Sequence, residues 1–211
     1  MPLPTGRKPV RSSRPSRRGR SSRSRVERQL SLTDVEDVRR TARRVYSARE
    51  VARALDRMAA ELTPHLEHTN PVVLAVMHGG AFTAIELCKR FSFPHEFDYL
   101  HVTRYAGNTR GGDLRWLKRP SRALAGRTVL VVDDILDHGK TLRAINVELE
   151  RAGVAKQLTA ALVVKQLALP NRPSVAVSGL AVDDVYVFGS GMDYRGYWRS
   201  LAGIYAVAER A

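Results

Sequence analysis

The sequence predicts an α/β protein with a mainly parallel sheet at its centre. Three aliphatic runs, at residues 72–77, 129–132 and 158–164, are typical of strands buried on both faces of a sheet. Segments with helical periodicity separate these runs, and each run is followed by glycine or charged residues. Sheets of this kind bind ligands at the carboxyl ends of their strands, so we expect the functional site at that edge.

Composition indicates one globular domain. The chain has 211 residues, of which 44% are hydrophobic, and this is enough for one buried core. No apolar run approaches the roughly 20 residues of a membrane span, and no signal-peptide core lies near the start. The only cysteine is Cys88, which excludes an internal disulfide and favours a reducing compartment. We therefore expect a cytoplasmic protein without membrane contact.

Basic residues are concentrated at the start of the chain. Residues 1–25 hold nine of the 35 Lys and Arg residues and no acid, so the remaining 26 basic and 21 acidic residues contribute only +5 to the net charge of +14. Their Arg/Ser-rich composition predicts disorder. Weak polyanion contact, a transit peptide and a dispensable extension are the alternatives, and we favour the last. Residues 26–211 are predicted to form the folded domain.

Residues 31–66 are predicted to be helical. Ser31 or Thr33 is a candidate cap for a short first helix. An amphipathic stripe follows, and Pro64 and Asn70-Pro71 are expected to end the region. A helix packed on the core is favoured over a DNA-binding helical unit. The stripe consists of Val45, Val51, Ala52, Leu55, Met58, Ala59 and Leu62.

Each of the first two strands leads into a segment that suits ligand contact. Residues 72–77 precede His78-Gly79-Gly80, where paired glycines allow either a close approach of a ligand or a plain tight turn. Residues 97–103, the second predicted strand, precede a polar, glycine-rich segment at residues 104–113. Its length is typical of a lid over a site, with an ordinary hairpin loop as the alternative.

The most informative stretch is residues 127–143, where a strand, two acids and a glycine-containing turn precede a helix. Asp133 and Asp134 follow the aliphatic run directly, and a polar segment at residues 137–141 opens a helix predicted over residues 142–152. N–H groups at a helix start, together with the Thr141 hydroxyl, suit a phosphate. The adjacent acids suit a sugar diol or Mg²⁺. A phosphorylated ribose would fit both the phosphate site and the acidic site.

A nucleotide-binding P-loop is a weaker interpretation of this stretch. Gly139-Lys140-Thr141 matches the end of that motif, but the required glycine five positions earlier is replaced by Asp134. The stretch instead resembles the motif with which type I phosphoribosyltransferases bind phosphoribosyl diphosphate (PRPP). That motif runs from an aliphatic strand through two acids and two apolar residues to Asp, a small or polar residue, Gly and a nearby Thr.

The resemblance implies how this segment meets PRPP. Asp133 and Asp134 would hold the ribose hydroxyls and the metal ion. Asp137 would also face N7 of the base and act as the general base. The residues that would anchor the 5′-phosphate are Asp137, His138, Gly139, Lys140 and Thr141.

The family also implies roles for the two earlier loops. Its loop after the first strand binds pyrophosphate and contains a non-proline cis peptide, which assigns His78 and Gly79 to pyrophosphate and predicts a cis bond at Met77–His78. The family commonly has Lys where this chain has His78. Its loop after the second strand is a mobile lid, which assigns Arg104 and Tyr105 to the lid.

Lys165, which follows the strand at residues 158–164, is the main indicator of base specificity. By itself, a lysine at a strand end can lie harmlessly along the surface. In the 6-oxopurine branch of the family, a lysine at this place donates to O6 of the base. Adenine carries an amino group there and offers no acceptor, so the resemblance implies a 6-oxopurine site.

Residues 182–189 are predicted to form the last strand, and the segment around them resembles the carboxyl-terminal signature of hypoxanthine-guanine phosphoribosyltransferases. The resemblance implies that Tyr186 stacks on the purine and that Val187 contacts it through its backbone. It assigns Asp193 to Mg²⁺ and Arg199 to pyrophosphate. Phe188 and Trp198 are expected in the core.

The prediction as a whole is a type I phosphoribosyltransferase fold, with a parallel core sheet of about five strands, flanking helices and a small hood made from the chain termini. The expected reaction converts PRPP and hypoxanthine or guanine into IMP or GMP and pyrophosphate, with Mg²⁺, in a homodimer or homotetramer. A xanthine-preferring enzyme is one alternative. A non-catalytic regulator that responds to PRPP and binds nucleic acid is the other.

Overall fold

The computed structural model describes residues 30–104 and 114–208, and helices and strands alternate along much of these ranges. The chain divides after Ser31, and the described residues beyond it form one compact unit. No helix in the described ranges is long and apolar enough to cross a membrane. In chain order the elements are α1 (Leu32–Thr41), β1 (Arg43–Tyr46), α2 (Ala48–Leu66), β2 (Val72–Val76), α3 (Gly80–Cys88), β3 (Glu96–Arg104), β4 (Leu114–Lys118), β5 (Thr128–Leu136), α4 (Lys140–Arg151), β6 (Lys156–Lys165), β7 (Val177–Val182), β8 (Val187–Phe188) and β9 (Ile204–Ala206).

A six-stranded sheet in the order β4-β3-β2-β5-β6-β7 forms the centre. Its strands are parallel except for β4, which pairs antiparallel with β3 at one edge. Alternate residues of β5 enter different cores, with Leu130 packing in the cluster of α2 and α3 and Val131 in the cluster of α4. Burial on both faces explains the continuous aliphatic runs, and the predicted α/β class with about five parallel strands is confirmed.

The region before β2 contains the predicted short first helix, α1, but differs from the all-helical prediction for residues 31–66. Arg43–Tyr46 forms β1, so Val45 belongs to a strand and not to the helical stripe. The helix α2 begins after Ser47, whose hydroxyl accepts from the Glu50 N–H while the Glu50 carboxylate accepts from the Ser47 N–H. This reciprocal pair is a capping box, which fixes a helix start at a place that periodicity alone does not mark.

The helix α2 ends at Leu66, in agreement with the predicted helical range, and Pro64 lies within its last turn. Leu62 and Leu66 are both fully buried one turn apart. Burial of Leu66 therefore holds the last turn, although the proline removes one backbone hydrogen bond.

The expected hood is a second sheet, in which β9 pairs antiparallel with β1 on one side and β8 on the other. The prediction of one strand over residues 182–189 is wrong. Two strands, β7 and β8, occupy this region, and they are separated by a turn in which the Val185 N–H donates to Asp183 O. Phe188 is fully buried in agreement with the prediction, whereas Trp198 is only half-buried and its indole N–H donates to Val35 O at 2.9 Å.

Candidate active site

The carboxyl ends of β2, β5 and β6 open onto two adjacent cavities, of about 300 Å³ and about 190 Å³. The larger cavity lies over the segment at residues 137–141 and the smaller over Lys165. Asp134, Ile135, Asp137 and Asp193 line both cavities and thus form their common wall. This places the site at the sheet edge that the sequence indicates.

The loop between β5 and α4 has the geometry of an anion site. Gly139 precedes α4 with φ of +75°, a left-handed conformation that favours glycine. The helix then starts at Lys140, so its positive dipole end faces the larger cavity, which Gly139, Lys140 and Thr141 line. The segment can therefore bind a phosphate through backbone N–H groups.

Asp133 and Asp134 form an adjacent pair of carboxylates at the floor of the larger cavity. Enclosure by the surrounding protein, followed by repulsion from Asp134, raises the pKa of Asp133 well above its ordinary value. Enclosure also raises the pKa of Asp134, against the opposing effect of hydrogen bonds and of Arg199. Two carboxylates under such repulsion are suited to a cation or to donors such as hydroxyl groups.

The loop after β2 lies directly against this pair. The peptide bond between Met77 and His78 is cis, as the resemblance implied. A Cβ added to Gly79 would lie only 1.6 Å from Asp134 Oδ2, so glycine is required for this approach. The ring of His78 meets that of His101 edge to face, with centroids 4.5 Å apart, and burial followed by the charge of His78 lowers the pKa of His101.

Arg199, from the hood, also lies beside the acidic pair. Its guanidinium lies 2.7 Å from Asp193 Oδ1, donates to Gly191 O at 2.7 Å and comes within 4.0 Å of Asp134 Oδ2. The Gly191 backbone in turn lies against the loop after β2, because a Cβ at Gly191 would be 2.4 Å from Gly79 O. A cationic group therefore stands beside the acidic pair at the edge of the larger cavity.

The smaller cavity combines a cation, a carboxylate and an aromatic ring. Lys165 Nζ lies 2.9 Å from Asp184 Oδ1 and 3.6 Å from Asp137 Oδ1. Hydrogen bonding and charge from Lys165 lower the pKa of Asp184. Tyr186 donates through its hydroxyl to Asp193 O at 3.0 Å, and burial, followed by the Asp193 charge, raises its pKa. A flat ligand in this cavity would meet both a donor and a proton acceptor.

Comparison with known proteins decides the family. The model of the phosphoribosyl transferase domain matches residues 41–195. The chain belongs to the phosphoribosyltransferase family.

A hypoxanthine-guanine-xanthine phosphoribosyltransferase of Tritrichomonas foetus is 30% identical over 158 residues, which cover 74% of this chain and 86% of the relative. A hypoxanthine-guanine phosphoribosyltransferase of Lactococcus lactis subsp. lactis is 29% identical over 165 residues, with the same two coverages. A solved hypoxanthine-guanine-xanthine phosphoribosyltransferase superposes with a TM-score of 0.72 at 28% identity, covering 79% of this chain and 97% of the other.

This phosphoribosyltransferase brings together most of the residues singled out in the sequence. The residues around the two cavities include the acidic pair, the loop after β2 and the three later segments that carry Lys165, Tyr186 with Val187, and Asp193 with Arg199. The loop after β5 also lines the larger cavity, except for His138, which lines neither. The assignment of Arg104 and Tyr105 to a lid remains a prediction. Arg104 is the last residue of β3, but its side chain and Tyr105 lie outside the described residues.

The sequence did not indicate three neighbours of the site. Asp184 forms an ion pair with Lys165, and the ring of His101 contacts that of His78. Arg172 donates to the backbone carbonyl oxygens of Asp137 and Lys165. Asp184 precedes Tyr186 by two positions and had a weak signal as part of an acidic pair. His101 lies inside a strand and Arg172 inside a polar loop, and neither place distinguishes a functional residue from an ordinary one.

Proposed function

We propose that this protein transfers the phosphoribosyl group of PRPP to hypoxanthine or guanine and releases pyrophosphate, as a cytoplasmic enzyme of purine salvage. The observation that carries the proposal is the position of Lys165 Nζ, 3.6 Å from Asp137 Oδ1, in a cavity also lined by Tyr186 and Val187. This pairing offers a donor for O6 of a 6-oxopurine beside an acceptor for the N7 proton. The names of the relatives support the same substrate class.

PRPP would occupy the larger cavity. Its 5′-phosphate would bind residues 137–141, where helix dipole and backbone N–H groups favour an anion. Its ribose hydroxyls would donate to the carboxylates of Asp133 and Asp134. Its pyrophosphate would lie between the loop of His78 and Gly79 and the guanidinium of Arg199.

Mg²⁺ fits the chemistry of this donor set. Asp133 and Asp134 supply hard oxygen ligands whose mutual repulsion a divalent cation would relieve. Among the described residues no group of three or more His, Cys, Asp or Glu side chains forms a metal cage, so phosphate oxygens would complete the coordination. Asp193, held by Arg199 at 2.7 Å, would assist from the hood. The bound ion would neutralise charge on the departing pyrophosphate.

The transfer requires one proton to be moved. N9 of the base forms a bond to C1 of the ribose, and the bond between C1 and the pyrophosphate oxygen breaks. Asp137 accepts the proton from N7 and returns it in the reverse direction. Lys165 holds O6, which fixes the base in the orientation that presents N7 to Asp137.

A xanthine-preferring enzyme is the second candidate. A curated relative and a solved structure are named hypoxanthine-guanine-xanthine phosphoribosyltransferase, and Lys165 would bind O6 of xanthine equally well. Contacts to position 2 of the base would decide between these substrates. The two candidates share the fold, PRPP and the role of Asp137.

An assay with PRPP, Mg²⁺ and each of hypoxanthine, guanine, xanthine and adenine tests both candidates. IMP and GMP formation without AMP supports the main proposal, and a higher kcat/KM for xanthine supports the second. AMP formation contradicts the role of Lys165. If no base gives a nucleotide and the protein instead binds nucleic acid in a PRPP-dependent manner, the regulator is favoured.

We further propose that two copies associate through the face of α3. Phe82 and Ile85 are 40% and 48% exposed beside an apolar cleft of about 380 Å³ between α2, α3 and residues 199–202. Exposed aliphatic and aromatic side chains around a cleft are typical of an interface. We favour a second copy as the occupant, and the contact would then adjoin the site, because Arg199 lines both this cleft and the larger cavity. Multi-angle light scattering should give at least twice the mass of the 23.5 kDa chain.

A further inference from the structure

One guanidinium group joins the ends of two neighbouring strands. Arg172 donates through Nε to Asp137 O at 2.6 Å and through NH2 to Leu136 O at 2.6 Å. It also donates through NH1 to Lys165 O at 2.8 Å. Leu136 ends β5 and Lys165 ends β6, so a single side chain from the following loop spans both ends.

These carbonyls lie where the pairing between β5 and β6 ends, although Lys165 remains paired with Val182 of β7. The last paired residues of β5 and β6 are Leu136 and Val164, so Asp137 and Lys165 are just beyond the pairing between the two strands. A planar guanidinium presents several donors in fixed directions and stays charged, which suits three carbonyls at once. A lysine would offer a single point charge at the end of a flexible chain.

The same loop also packs against the phosphate-binding segment. Arg143 of α4 donates to Asn171 O at 2.5 Å. A Cβ at Gly139 would lie 2.6 Å from Pro173 Cδ, so the proline ring rests on the glycine. Residues 171–173 therefore contact the start of α4 on one side and the two strand ends on the other, which restricts the position of Arg172.

We propose that Arg172 is a positioning residue that sets the distance between the carboxylate of Asp137 and the ammonium of Lys165. The inference rests on the proposed function, because it concerns the two groups that would contact N7 and O6 of the same base. Arg172 binds the backbone of both residues and thus fixes the two points from which their side chains reach a separation of 3.6 Å, while Asp184 also holds Lys165 Nζ at 2.9 Å. It makes no contact of its own with the substrate.

This role predicts that loss of Arg172 impairs the use of the base more than the binding of PRPP. The phosphate segment keeps α4 and Pro173 as supports when Arg172 is removed. The junction of Asp137 and Lys165 loses its common anchor, and a misplacement of about 1 Å in such a group can cost roughly 100-fold in rate. We expect Arg172→Gln to lower kcat/KM for hypoxanthine between about 10-fold and 100-fold, with KM for PRPP changed by less than about threefold.

The control is Arg57→Gln. Arg57 also donates to a backbone carbonyl, Gly179 O at 3.1 Å, but it lies in α2 outside both cavities of the site. Its kinetics should match the unmodified protein. Arg172→Lys should behave like Arg172→Gln, because one ammonium cannot span three carbonyls.

A double variant separates positioning from general stability. If Arg172 acts through Lys165, Arg172→Gln should raise KM for hypoxanthine in the unmodified protein but not in a Lys165→Met background. Equal effects in both backgrounds would overturn the inference. So would kinetics within about twofold for Arg172→Gln and Arg172→Lys, or failure of both variants to fold, since the residue would then be structural. An unmodified protein that forms no nucleotide would instead overturn the proposed function, and the inference with it.

Discussion

Replacing Lys165 by Met tests the assignment of the base cavity most directly. The substitution keeps the length and apolar stem of the side chain but removes the donor to O6. A hydrogen bond to a charged group contributes about 1.5–3 kcal/mol, and its loss leaves O6 unpaired in the cavity. At about 1.36 kcal/mol for each factor of ten, kcat/KM for hypoxanthine should fall between about 10-fold and 150-fold. Binding of PRPP should be nearly unchanged, because Lys165 lines only the smaller cavity.

The substitution should affect kinetics without unfolding the protein. Lys165 also pairs with Asp184 at 2.9 Å, but the Asp184 side chain is 63% exposed, and ion pairs at such positions contribute little to stability. Lys156→Met is the matched control, because Lys156 begins the same strand and its ammonium donates to His65 O at 3.2 Å, far from the site. Steady-state rates with hypoxanthine and calorimetric titration with PRPP give the two quantities. A loss below about threefold, or the same loss in Lys156→Met, would refute the reasoning.

Four further predictions concern the acidic groups, the glycine loop and the tail. Asp137→Asn should lower kcat by about 10²–10⁴-fold while calorimetric PRPP binding persists, and near-normal turnover would count against a general base. Gly79→Ala should destabilise the fold by about 1–3 kcal/mol in denaturant titrations, because its Cβ would overlap the Asp134 carboxylate. The pKa of Asp133 is raised, so the folded state binds this proton more tightly, and stability is lost as pH rises from the ordinary aspartate pKa through the raised value. Asp133→Asn should therefore raise the Tm at pH 7, with a gain that shrinks toward pH 4, and a constant gain would contradict this cause. Deletion of residues 1–25 should leave kcat and KM unchanged in a purified protein, and a large loss of activity would show that the tail takes part in catalysis.

Local signals were enough to predict the central part of the fold. The strand β5, its acidic end, Gly139 and α4 follow one another in the chain, so one stretch of sequence contains the whole unit. The double glycine after β2 was also visible in the sequence as a place where another group could approach closely, and Asp134 of β5 makes that approach. In each case the residue type itself carries the physical requirement: a left-handed conformation at Gly139, the absence of a Cβ at Gly79, and adjacent carboxylates at Asp133 and Asp134.

Pairings between distant segments could not be predicted in the same way. The short strand β1 is fixed by β9, about 160 residues later, and neither has a strong pattern of its own. The strand β7 contains Gly179, where a Cβ would lie 2.8 Å from Met58 Sδ. Packing therefore requires a glycine, and this residue type is unfavourable for predicting a strand. Arg172 binds carbonyl groups, which every residue has, and no sequence feature marks them as its partners.

The shared wall of the two cavities explains why the carboxylates lie where they do. Asp134, Asp137 and Asp193 line both the larger and the smaller cavity, so they stand between the expected positions of PRPP and the base. The bond that forms joins those two ligands, and positive charge develops on the ribose as pyrophosphate leaves. In the proposed mechanism, negative groups at that boundary would stabilise this charge, and Arg199 would stabilise the departing anion. Burial raises the pKa of both Asp133 and Asp134, and repulsion from Asp134 adds to the effect at Asp133, so a positive charge beside this pair would favour its ionised form.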